Sequence, residues 1–246
     1  MAIPKTILIT ALLGASLLTA TGHATPIMLD SDAAFNALDF DKLVGANVRW
    51  GDSAGNATWE VSVVDGNDAP LDQQQFEWTT GSDDNGHTLG ATIDQDSFWF
   101  RVAQQTGSGV AVAISEGDMP AGNPNALFFR VRSDDDSDRF ASLRGLNLSF
   151  WDDAGTTILD TLVLGDLLGS AGDVQYLGLI DDRLSGLFTI GGLGFLEAPD
   201  GSQGSLPAYQ IKLGILDGVP GSEIPLPGTL LLLGGGLLGL GLRQRR

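Results

Sequence analysis

Thr58-Trp59-Glu60-Val61-Ser62-Val63 alternates polar and apolar side chains over six consecutive residues. A period of two puts one set on each face of an extended chain, the pattern of a half-buried β-strand. Gln75-Phe76-Glu77-Trp78-Thr79 and Asn147-Leu148-Ser149-Phe150 repeat it. Denser runs, Phe98-Trp99-Phe100-Arg101-Val102, residues 110–114 and Leu127-Phe128-Phe129-Arg130-Val131, suit strands buried on both faces. Between these segments lie Gly, Asp, Asn and Pro clusters at 65–68, 81–86, 117–125, 133–138 and 152–155. Short strands separated by turn chemistry predict a mainly β domain, an antiparallel β-sandwich or jelly roll.

Outward from that body, Ser31 is placed to cap one short N-terminal helix, with Asp32 favourable at its positive end. Phe35, Leu38 and Leu43 fall roughly on one face, so the helix is expected to cover an open end or edge of the sheets. Residues 162–216 are richer in Gly and Leu but still read as strands and turns, and 217–223 reads as a linker. The exported β-rich body therefore spans 25–216.

The first 24 residues have the order of a secretory signal peptide. Lys5 precedes an apolar run from Ile7 to Leu18, and Gly22-His23-Ala24 supplies small residues at a cleavage site after Ala24. At the other end, Ile224-Pro225-Leu226-Pro227-Gly228 leads into fourteen apolar residues, 229–242, and then Arg243-Gln244-Arg245-Arg246. As a helix the apolar stretch reaches about 21 Å, against a hydrocarbon core of about 30 Å. Five glycines weaken it further, so it suits temporary residence in the inner membrane better than permanent anchorage. Lys5 and the terminal arginines both favour the cytoplasmic side, which leaves the body outside.

All 31 acidic residues lie between Asp30 and Glu223, together with nine of the 13 basic ones, so that span carries −22 of the chain's net −18. Such a surface disfavours nucleic acid, because phosphate binding needs a basic face. The absence of cysteine excludes disulfides, thiolate zinc sites, iron–sulfur clusters and a cysteine nucleophile.

Once the signal is cut, His87 is the remaining histidine, and the turn-forming run before it predicts a surface-loop position. Zinc sites with two or three histidines fail on count. No catalytic residue is nominated. A glycosidase needs two carboxyl groups at a set separation, which sequence spacing does not report. Asp134, Asp136 and Asp138 occupy alternate positions of one acidic loop and could offer oxygens to calcium, the one cofactor the sequence suggests. That loop departs from an EF-hand, with Arg139 where Gly is required and Gly145 where Glu is required. Trp50, Trp59, Trp78, Trp99 and Trp151 lie in or beside strands, where core packing is the default and an outward row would make a sugar platform.

The tail, with Pro225, Leu226, Pro227, the Gly- and Leu-rich run, and Arg243, Arg245 and Arg246 in that order, resembles the PEP-CTERM class of bacterial sorting signals in its Pro-Leu-Pro variant. The resemblance covers 224–246. It implies an exosortase, a membrane-embedded processing transpeptidase, as partner, in a Gram-negative bacterium that makes exopolysaccharide. Leu226 stands where the commoner form has Glu. Phe35-x-x-Leu38, Arg49-Trp50-Gly51-Asp52, Trp59-Glu60 and Gln75-Phe76-x-Trp78 loosely resemble exported choice-of-anchor domains, which implies a β-rich surface domain. The resulting expectation is a cell-surface or extracellular-matrix protein, structural or adhesive and without catalysis, associated with exopolysaccharide. The alternatives are a calcium-assisted carbohydrate-binding module, a polysaccharide-cleaving enzyme, and a permanently anchored periplasmic protein.

Overall fold

The structure is a computed structural model that describes residues 26–51, 58–77, 86–106, 109–133, 140–169, 172–197 and 208–217. The signal segment, the acidic loop with Asp134, Asp136 and Asp138, the linker beyond Asp217 and the tail lie outside the described residues.

In chain order the elements are β1 (Ile27–Leu29), helix α1 (Asp32–Asn36), β2 (Phe40–Gly51), β3 (Thr58–Asp65), β4 (Pro70–Glu77), β5 (His87–Ile93), β6 (Ser97–Thr106) and β7 (Gly109–Asp118). They continue with β8 (Ala126–Arg132), β9 (Phe140–Trp151), β10 (Ile158–Leu168), β11 (Val174–Ile180), a 3-10 turn (Asp182–Ser185), β12 (Phe188–Glu197) and β13 (Ala208–Leu216). Strands β1-β11-β8-β13-β2-β3-β4 form one sheet and β10-β9-β12-β5-β6-β7 the other. Every pairing between these strands is antiparallel, so the body is the β-sandwich that the alternation predicts.

Alternation decides what enters the core. Val44, Ala46 and Val48 of β2 and Phe98, Phe100 and Val102 of β6 belong to one continuous apolar layer between the sheets. Of the dense runs, only β8 is buried on both faces: Leu127 and Phe129 join the central layer, and Phe128 points to the opposite side. In β6 and β7 one face stays open, with Trp99 half-buried and Arg101, Val110, Val112 and Ile114 exposed. The apolar density there reflects an uncovered outer face of the six-stranded sheet.

Phe128 has a partner because α1 lies on the outer face of the seven-stranded sheet, and this corrects the expectation that the helix closes an end or edge. Ser31 caps it as expected, its hydroxyl accepting from the Ala34 N–H at 3.2 Å. Phe35 stacks on Tyr176 with ring centroids 4.4 Å apart and meets Phe128 edge-on at 5.1 Å. Leu38 packs there as well, but Leu43 belongs to β2. The physical cause is that Phe128 and Tyr176 point away from the central core, and their apolar area is removed from water only if something roofs it.

Candidate functional site

Beside the helix, the outer face of the seven-stranded sheet opens into a groove of about 290 Å³. Its base is a single line of residues in register across four strands. Gln210 of β13 pairs with Asn47 of β2, Asn47 with Ser62 of β3, and Ser62 with Gln73 of β4. Strand spacing of about 4.8 Å makes this polar line about 14 Å long. The same register continues under the helix, where Gln210 pairs with Arg130 and Arg130 with Tyr176.

Three features shape the groove. At the α1 side, Asp32 accepts from the Arg130 guanidinium at 2.9 and 3.0 Å and from the Tyr176 hydroxyl at 2.5 Å, which fixes the helix to the sheet. The Arg130 hydrogen bonds hold the Asp32 carboxyl below the usual carboxylate range, and burial with the Asp32 contact pushes the Tyr176 phenol up. On the far side, the β3–β4 pairing shifts register between Val63 and Val64, and such a bulge bends the edge strand. The turn that follows carries Asp68 at φ 65°, ion-paired with Lys42. Arg49 and Asp68 bring opposite charges to the margin, while Val64, Pro70 and Ala208 add apolar surface.

His87 is not on a surface loop. As the first residue of β5 it is completely buried, and the burial pattern His87, Leu89, Ala91, Ile93 shows it continuing the strand's inward face. Its Nε2 lies 2.7 Å from the Tyr209 hydroxyl of β13 in the opposite sheet. Gly194 makes room for the pair, since a Cβ there would stand 2.4 Å from Nε2. Burial drives the imidazole pKa down to about 3 and raises that of Tyr209.

Several carboxylates anchor turns. Asp152 accepts from the backbone N–H groups of Thr156 and Thr157 at 2.7 and 3.1 Å, and Asp94 from those of Asp96 and Ser97 at 2.8 and 2.6 Å. These hydrogen bonds lower the Asp152 carboxyl, and in Asp94 they outweigh a burial effect of opposite sign. Arg183 joins Asp181 and Asp160 at 2.6 and 2.7 Å while lying over the Phe150 ring. Among the described residues no group of three or more acidic or histidine side chains could hold a metal ion. Trp99 and Trp151 sit half-buried on the outer face of the six-stranded sheet, where the Trp151 indole donates to Thr189 Oγ1 at 3.1 Å.

Strand polarity places both ends of the body together. Leu216, the end of β13, pairs with Phe40 at the start of β2, and Ile27 at the start of β1 pairs with Gly178 near the end of β11. Antiparallel steps through Ala126, which pairs with both Gly214 and Ile180, put these positions at one end of the sheet. The turn 66–69 lies at this same pole, and the 3-10 turn carries the chain across it from β11 into the second sheet.

Among the described residues no helix is long and apolar enough to cross a membrane. Residues 223–246 match the family model described as the PEP-CTERM protein-sorting motif. No curated protein matches the chain. The motif falls where the Pro-Leu-Pro segment, the apolar run and the arginines were read as a sorting signal, and it supports an extracellular protein sorted by an exosortase.

Proposed function

We propose, from the PEP-CTERM motif at 223–246, that this chain is a surface or matrix component, exported by its signal peptide and retained within exopolysaccharide in a structural or adhesive role without catalysis. The single observation that carries this reading is the motif, which follows an acidic body and a segment with the order of an export signal. A body charge of −22 favours solubility outside the cell and opposes collapse onto polyanions.

The test is fractionation of the native host against a strain lacking its exosortase. The protein is expected in the surface and matrix fraction of the first and as a longer form in the inner membrane of the second. Identical size and location in both strains would refute sorting by this route.

A further inference from the structure

We propose that the groove beside α1 is a saccharide-binding site that takes a short segment of a neutral, hydroxyl-rich glycan chain. The assignment rests on the matrix reading above and gives it a contact surface.

The chemistry of the lining selects the ligand class. Gln210, Asn47 and Gln73 contribute primary amides, each of which donates through N–H and accepts through C=O from one planar group. Vicinal hydroxyls offer the same paired donor and acceptor capacity, so one amide can serve two neighbouring oxygens of a sugar ring. A free inorganic anion or cation would use only half of each amide. Asp68 at the margin is ion-paired with Lys42, so the lining has no carboxylate left over to recruit a metal ion, and the −22 charge of the body opposes a phosphate- or uronate-bearing chain. Apolar surface from Val64, Pro70 and Ala208 alternates with the amides and suits the C–H faces of pyranose rings.

The geometry matches an extended ligand. The three amides and Ser62 stand in one register line on four neighbouring strands, a rigid base that needs no reorganisation on binding. The bulged edge strand bounds one side, and the Asp32–Arg130 pair holds the helix at the other. A polypeptide ligand would need an apolar anchor pocket, which this lining does not provide.

The experiment is affinity electrophoresis of the processed protein purified from the native host. The gels contain the neutral fraction of the host's exopolysaccharide or soluble neutral glucans, galactans and mannans, with the acidic fraction as comparator. Retardation by a neutral glycan is expected, weakened at least tenfold by Gln210→Ala and by Gln73→Ala. Gln73 is exposed, so its variant keeps the fold, and unchanged thermal melting checks this. Trp99→Ala, on the other sheet, is expected to leave retardation unchanged. No retardation by any neutral glycan, retardation equal in the groove variants, or retardation by the acidic fraction alone would overturn the assignment. Groove-dependent capture of a host protein with no glycan effect would also overturn it. A sorted, surface-located protein that is not retarded defeats the groove assignment alone. An unsorted chain that is retarded defeats the surface reading alone.

Discussion

His87 and Tyr209 join the two sheets of the sandwich through a side-chain contact of 2.7 Å inside the core. The imidazole is neutral in the folded protein down to about pH 3, whereas in the unfolded chain it takes up a proton near pH 6.5. Between those values the unfolded state binds more protons, so stability falls as the pH drops below about 6.5 and is independent of this group above it. The expected slope is about 1.4 kcal/mol per pH unit, or about 2 kcal/mol between pH 6.5 and 5. Lowered carboxyl groups such as Asp94 and Asp152 lose their contribution only as the pH falls toward and below their ordinary value of 3.8, so the interval from 5 to 6.5 isolates the histidine. Denaturant unfolding at several pH values checks this, and His87→Gln is expected to flatten the slope while lowering stability at pH 7.5.

Gly194 faces that pair with no space for a methyl group. Gly194→Ala would set a Cβ 2.4 Å from His87 Nε2 and 2.9 Å from Tyr209 Cε1. The expected loss is about 1–3 kcal/mol, the usual cost of overpacking a close-packed core. Thermal unfolding of the variant reads it. A melting temperature equal to that of the parent would show that the two sheets can separate locally at no cost.

The attachment of α1 depends on Asp32 and Phe35 in different ways. Phe35→Ala removes a ring that is 8% exposed from a cluster containing Phe128 and Tyr176, and the expected cost is about 3 kcal/mol. Asp32→Ala deletes the two Arg130 hydrogen bonds and the Tyr176 bond, but the carboxylate is half exposed, so about 1–2 kcal/mol is expected. Hydrogen exchange should show faster exchange confined to α1 and the adjoining β11 in Asp32→Ala.

With the tail inserted in a bilayer, as proposed above, the pole shared by the two ends of the body would turn toward the membrane. Residues 217–228 separate β13 from the apolar run that begins at Thr229, and twelve extended residues span at most about 43 Å, a tether that biases the orientation. The chain has no cysteine, so single cysteines can report position. With the full chain in vesicles, labels at Asn67 or Asp153, beside Trp151 at the same end as the 3-10 turn, are expected to be quenched by lipid-borne quenchers several-fold more than a label at Asp173. Equal quenching would contradict the orientation.

Much of the fold was legible because period-two alternation reports directly which side chains face inward, as at 58–63 and 147–150. The Ser31 cap was legible for the same kind of local reason. Coverage of outer faces was not. Phe128 and Val112 both occur in dense apolar runs, yet one is roofed by α1 and the other is exposed, a difference set by long-range packing. His87 was misread because the turn-forming residues before it outweighed the His87-x-Leu89-x-Ala91-x-Ile93 alternation that begins with it. The groove was invisible for a further reason: Gln210, Asn47, Ser62 and Gln73 come together only through strand register. The tail needed no fold at all, since its order of prolines, apolar run and arginines is a linear signal.

The most direct test of the sorting claim is intact mass spectrometry of the protein recovered from the surface and matrix of its native host. The predicted mass lacks the segment before Thr25 and has lost the arginine-tipped tail at or near the Pro225-Leu226-Pro227 motif. A mass that still includes Arg246, in protein recovered from the inner membrane, would contradict the account.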